Sequence, residues 1–176
     1  MHMNLLVTFV LAFCRFSVAA EATTVMPTSD ATAILAQVNL SKAKLKVLNL
    51  WASWCPPCRA ELPDFAKVEK TAKDTDFFYI SGDDDKDAAE AQNFIESTRV
   101  NGVKFRLKPI NEEAFHQFSP GFSGSLPATF FIDQDGHVLT YSVKALNQKS
   151  LAELIKKYTL RRSGSSPKMP TRMRAK

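Results

Sequence analysis

Two cysteines with two residues between them, Cys55 and Cys58, lie in the run Trp51-Ala52-Ser53-Trp54-Cys55-Pro56-Pro57-Cys58-Arg59. The nearly continuous apolar stretch before it, Leu45 to Trp51, reads as a central strand buried on both faces. A helix is expected from Pro56 onward. A cysteine carried by a strand to the first turn of a helix meets free backbone N–H groups and the positive helix end, and both favour a thiolate. In this setting one sulfur has its pKa lowered to about 3.5–7.5. Cys55 is expected to be that sulfur, exposed and nucleophilic, and Cys58 a buried resolving thiol within disulfide reach. Pro56 and Pro57 suit a first helical turn, where a missing N–H loses no helix bond. They also remove two donors that would hold a thiolate, so the depression should be moderate.

Other uses of the pair fit less well. A structural zinc site needs four ligands, and His116 and His137 are distant and not spaced as a ligand pair. Haem attachment wants a histidine after the second cysteine, where Arg59 stands. A purely structural disulfide would close a very small loop and gain little. Asp83-Asp84-Asp85 lacks the glycine and terminal glutamate of a calcium loop. No metal is expected, and no cofactor beyond a Cys55–Cys58 disulfide. His116 and His137 read as surface or hairpin residues.

The elements around the pair follow from periodicity. Asp30 can cap a helix carrying Ile34, Leu35 and Val38 on one face. The helix from Pro56 should turn Leu62, Phe65, Val68 and Ala72 inward, with a kink at Pro63. A strand is expected over 76–81, a loop over 82–85 and a helix over 87–98 burying Ala91, Phe94 and Ile95. Residues 103–110 read as extended, 112–118 as a short helix and 119–127 as a Gly, Ser and Pro cluster. Thr129 to Asp133, turned by Gln134-Asp135-Gly136 into 137–143, reads as a hairpin. A last helix should run over 149–160 with Leu151, Leu154 and Ile155 inward. This order predicts an α/β fold, a central mixed sheet with helices on both faces.

Length, charge and cysteine usage bound the setting. A chain of 176 residues, 45% hydrophobic, suits one core. The net charge of +5 is unevenly spread. Residues 161–176 hold six Lys and Arg and no acid, and residues 21–160 come to about −2. A domain built to grip phosphates carries its excess on its own surface, so no nucleic-acid partner is expected. Leu5 to Phe13 is an apolar run too short to span a bilayer, and Val18-Ala19-Ala20 offers small residues for cleavage. Residues 1–20 therefore read as a signal peptide or short N-terminal anchor, 21–160 as the domain and 161–176 as a basic disordered tail. Phe13 before Cys14 is too large for lipid attachment. Cleavage would leave Cys55 and Cys58 as the only cysteines, a working pair rather than a staple.

The segment Trp51 to Pro63, WASWCPPCRAELP, resembles the active-site segment of the TlpA/ResA/DsbE group of thioredoxin-like proteins. Leu126-Pro127-Ala128-Thr129-Phe130-Phe131-Ile132-Asp133 resembles the group's cis-proline loop and following strand, and the likeness extends over about residues 30–160. The resemblance implies a thioredoxin-like fold and a periplasmic thiol–disulfide oxidoreductase. Its Cys55 and Cys58 would be catalytic, and Trp54, Pro56, Pro57, Leu126 and Pro127 would touch the substrate. It implies the reducing direction, with disulfide-containing exported proteins such as apocytochrome c as partners. Electrons would come from a membrane thiol reductant of the DsbD or CcdA type, and a monomer is expected. A disulfide oxidant or isomerase, and a non-enzymatic metal-binding or redox-sensing module, are the alternatives. Asn49 stands where thioredoxins carry a buried Asp, and the resemblance assigns the proton acceptor to Asp83, with Asp84 as alternate.

Overall fold

The computed structural model describes residues 25–160. The expected leader over 1–20 and the basic tail over 161–176 lie outside the described residues. Six strands form one sheet: β1 (Thr28–Ser29), β2 (Leu45–Trp51), β3 (Thr75–Ser81), β4 (Val103–Leu107), β5 (Ala128–Asp133) and β6 (Val138–Ser142). Five helices accompany them: α1 (Ala31–Leu40), α2 (Pro56–Glu69), α3 (Ala88–Thr98), α4 (Glu112–Phe118) and α5 (Gln148–Thr159). The strand order is β1-β4-β3-β2-β5-β6, with β1 to β4 parallel and β5 antiparallel to both β2 and β6. This is the expected mixed sheet with helices on both faces.

Strand β2 lies at the centre, and all seven of its residues are buried. Its side chains alternate between two cores. Leu45, Val47 and Trp51 face α2, α3 and α5, where they meet Leu62, Phe65, Ile95 and Leu151. Leu48 and Leu50 face the other way, toward Ile34 and Val38 of α1 and Phe118 of α4. Each side chain of this size contributes about 1.5–3 kcal/mol when fully buried. Lys46, also fully buried, satisfies its ammonium at the Gln134 carbonyl, 3.1 Å away.

The helix cap read from sequence at Asp30 holds, and two further caps appear that the sequence reading did not name. Asp30 caps α1, accepting from the Ala33 N–H at 2.8 Å. Asn111 and Asn147 cap α4 and α5 in the same way. Helix α2 runs through Pro63 but stops at Glu69, before Ala72. The Val68 carbonyl takes the N–H groups of both Thr71 and Ala72, which closes the helix. The extended stretch expected to reach residue 110 pairs only as far as Leu107, and a cis Lys108–Pro109 bond follows. The loop expected over 82–85 leads into a single 3-10 turn, Asp85–Asp87, ahead of α3.

Candidate active site

The site is built where β2 ends and α2 begins. Cys55 is the N-cap of α2, with Pro56 and Pro57 in the first two helical positions. Its backbone is extended at φ −95° and ψ 103°, and the Cys55 N–H donates to the Ala52 carbonyl at 3.2 Å. Cys55 and Cys58 form a disulfide with their Cα atoms 5.3 Å apart. The Cys58 N–H donates to Cys55 Sγ at 3.3 Å, so a helix-start donor points at the sulfur the sequence marks as the nucleophile.

Contrary to the expectation of an exposed nucleophile, Cys55 is buried in the disulfide: it is 4% accessible, against 0% for Cys58. In the disulfide its sulfur faces Cys58 and the helix start. The exposed groups are its neighbours Trp54, Pro56 and Pro57, with Trp54 60% accessible.

The expected cis-proline loop is present. Leu126–Pro127 is cis, and Pro127 is buried. Pairing of Ala128 with Leu50 brings Pro127 level with the Trp51 end of β2. A Cβ placed on Gly82 would lie 3.7 Å from the Trp51 carbonyl and 3.9 Å from Leu126. Three chain segments therefore meet at the Trp51 end of β2: the end of β2 itself, the end of β3 and the Leu126–Pro127 loop.

Asp83 is 1% accessible and engaged throughout. Both its oxygens lie 3.0 Å from the Ser53 N–H, and the hydroxyls of Ser53 and Ser81 each donate to it at 2.6 Å. Arg59 holds Ser53 from the other side, donating to its carbonyl at 3.1 Å while lying 4.2 Å over the Phe94 ring. Ser53 thus fixes the turn before Cys55 between a carboxylate and a guanidinium. Asp84, the alternate acid, is exposed and stands at the start of the 3-10 turn, where its backbone carbonyl accepts from the Asp87 N–H and its side chain makes no capping bond.

A second buried carboxylate carried no assigned role in the sequence reading. Glu61 lies one turn along α2 from Cys58 and is 3% accessible. Its Oε1 accepts from the Asn49 amide at 2.8 Å, and its Oε2 from the Leu146 N–H at 2.8 Å. Burial pushes its carboxyl up from 4.5 to about 7, against the lowering pull of those two donors. Cys58, Glu61, Leu62, Phe65 and Val68 share one helical face, but a glutamate at the margin of such a face gives no sign of its burial until its strand partner is known.

His116 and His137 are exposed and far from the cysteines in the chain, as expected. Asp133, Asp135 and His137 gather their side chains within 4.8 Å at the β5–β6 turn. There Asp133 accepts the N–H groups of Asp135 and His137, which is ordinary turn chemistry. Among the described residues no helix is long and apolar enough to cross a membrane.

The Redoxin family model matches residues 18–155. The chain is 29% identical over 119 residues to the thiol-disulfide oxidoreductase ResA of Bacillus thuringiensis, covering 67% of this chain and 65% of that one. It is 29% identical over 126 residues to the thiol:disulfide interchange protein HelX of Rhodobacter capsulatus, covering 71% and 66%. The chain thus spans a little under two thirds of the length of these curated relatives. Among solved structures, a thioredoxin family thiol:disulfide interchange protein of Chlorobium tepidum superposes with a TM-score of 0.59. It is 23% identical, with 77% of this chain and 97% of that one covered, and the likeness shows a shared fold.

Proposed function

The chain belongs to the Redoxin family, and from that premise we propose that it is a thiol–disulfide oxidoreductase that reduces disulfides of exported proteins. The observation that carries the reading is the Cys55–Cys58 disulfide at the start of α2, in a chain that also holds a cis Leu126–Pro127 bond and an exposed Trp54 before the pair. Relatives named as thiol–disulfide oxidoreductase and thiol:disulfide interchange protein support it.

In the reduced protein the Cys55 thiolate attacks one sulfur of a partner disulfide. The partner's S–S bond breaks, a Cys55–partner disulfide forms, and the first partner sulfur leaves as a thiolate that takes a proton from water. Cys58 then loses its proton and attacks Cys55 Sγ. The mixed disulfide breaks, the second partner thiolate leaves, and two electrons have passed from the dithiol to the partner. Trp54, Pro56, Pro57 and the Leu126–Pro127 loop form the face on which the partner chain lies. A backbone edge beside a cis proline suits short strand-like pairing with an extended segment.

Two buried acids compete for the Cys58 proton. Asp83 is tied to Ser53 and Ser81 at both oxygens. Glu61 lies on the Cys58 face of α2 and changes charge near neutrality. We assign the proton to Glu61 and give Asp83 the holding of the Ser53 turn. A carboxyl titrating near the working pH is suited to take and return a proton.

The compartment is the periplasm, the partners are oxidised exported proteins such as apocytochrome c, and a membrane thiol reductant of the DsbD or CcdA type reloads the pair. Monomeric action is part of the same proposal. The test is a Cys58→Ser variant expressed in the native compartment, which should accumulate covalent adducts through Cys55, while Cys55→Ser should form none. A potential near thioredoxin's roughly −270 mV supports the reducing direction, and one near roughly −120 mV would make the protein an oxidant. Adducts through neither cysteine would overturn the assignment.

A further inference from the structure

Asn49 Oδ1 is fully buried and has no hydrogen-bond partner, although the Asn49 amide nitrogen makes two bonds. The nitrogen donates to Glu61 Oε1 at 2.8 Å and to Thr129 Oγ1 at 3.0 Å. Asn49 and Thr129 are direct cross-strand partners in β2 and β5, so the three groups are fixed by the sheet and by the packing of α2 upon it. Buried polar atoms rarely go unpaired, because the desolvation cost is not recovered.

The orientation of the amide explains the orphan. An ionised Glu61 can only accept, so the side facing it must be the NH2 group. The carbonyl is then turned away to a buried position where no hydrogen-bond partner meets it. A protonated Glu61 reverses the requirement, since its O–H needs an acceptor. If the amide turns over, Oδ1 takes the place of the nitrogen and can accept from Glu61 through one lone pair and from the Thr129 hydroxyl through the other, while the NH2 group takes over the unpartnered position, a cost the two new bonds must offset. The threonine hydroxyl accommodates both arrangements because it is donor and acceptor.

We propose that Asn49 is a positioning residue whose amide turns over with the protonation of Glu61, presenting NH2 to the carboxylate and Oδ1 to the carboxylic acid. The inference rests on the reading of Glu61 as the proton acceptor for Cys58. It gives the strand residue a role in that step: Asn49 carries no proton, but it offers a matched partner to each state of the group that does. Charge-assisted bonds are the stronger, so the amide favours the ionised acid on balance.

Other groups facing Glu61 are few. Leu146 contributes its N–H from the segment before α5. On α2 itself, Cys58 lies one turn before, and Asp64 is turned toward Lys67 and the Gln148 N–H. No charged side chain of β2, β3, β5 or α5 enters the balance at Glu61.

The test uses the full oxidised chain without a partner, labelled with 13C at the glutamate carboxyls and 15N at the asparagine amides. Spectra are followed from about pH 5 to about pH 9, a window wide enough to bracket a carboxyl near neutrality. The Asn49 amide signals should move with the same midpoint as the Glu61 carboxyl and should become flat with pH in Glu61→Gln. Asn49→Leu should raise the proton affinity of Glu61 roughly fivefold, the difference between a charge-assisted and a neutral bond. Thr129→Val keeps the Glu61 bond and should lessen the amide response, which serves if Asn49→Leu does not fold. Amide signals that stay flat while Glu61 titrates would overturn the proposal, as would an unchanged Glu61 midpoint in Asn49→Leu. Because no thiol exchange is measured, this can fail while adducts still form in Cys58→Ser, and the reverse.

Discussion

Glu61 is the residue whose burial has consequences that can be measured without a substrate. Its pKa rises from 4.5 to about 7 in the folded chain. Between those values the native state holds a proton that the unfolded chain has released. The contribution of Glu61 to stability is therefore fully present below about pH 4.5 and is lost as pH rises through about 7, about 3 kcal/mol in all. Glu61→Gln removes the titration, so denaturant unfolding of the oxidised variant should lack that part of the slope. A wild-type slope retained in the variant would show that another group carries it. The same residue decides the proton question in catalysis. With Cys55 held in a mixed disulfide, Glu61→Gln should slow the attack by Cys58 about 10²-fold or more, the usual worth of a positioned base. Asp83→Asn keeps one acceptor oxygen for Ser53 and should slow it far less. The reverse order of effects would return the acceptor to Asp83. The cysteines were legible because their spacing is unusual in itself. Glu61 was not, because a glutamate on an amphipathic helix reads as solvent-facing until a strand residue such as Asn49 is seen to receive it.

Among the elements, β2 and the start of α2 were readable because composition alone marks a doubly buried strand and a proline-tolerant helix turn. The hairpin of β5 and β6 announced itself through Gln134-Asp135-Gly136, and Gly136 does take φ +93°. Strand β1 escaped because two residues, Thr28 and Ser29, carry no alternation to read, and their place is set by pairing with Arg106 and Leu107. The importance of Gly102 escaped for a similar reason. A Cβ there would lie 2.4 Å from the Phe77 carbonyl oxygen and 2.8 Å from Phe77 C and Cβ, contacts made mostly with backbone that cannot swing aside. Close approach of the chain ahead of β4 to β3 requires glycine at this point. Gly102→Ala should therefore cost about 1–3 kcal/mol, the usual range for overpacking. The loss should appear as a lower denaturation midpoint, with faster hydrogen exchange concentrated in β4 and β1. Exchange raised evenly over the sheet would point to a loss of the whole fold instead.

In the molecule as a whole, charge is unevenly placed along the chain. The sheet, both cores and the cysteine site are all contained within residues 25–160. The excess of positive charge is not: residues 161–176 hold six cations, and without them the chain carries a net −1. Among the described residues the Cys55–Cys58 pair already has its strand end, its helix start and its cis-proline loop, and long-range Coulomb interaction is largely screened beyond about 8 Å at physiological salt. Removing residues 161–176 should thus leave the redox potential and the rate of exchange with a small disulfide unchanged. It should abolish retention on a cation exchanger at neutral pH, where the full chain with its pI of about 9.2 is held. The two measurements separate a charge appended to the domain from one that belongs to its chemistry. A truncated chain with a shifted potential would mean that the basic residues act on the thiolate, and the slightly acidic domain could no longer be treated as the complete redox unit.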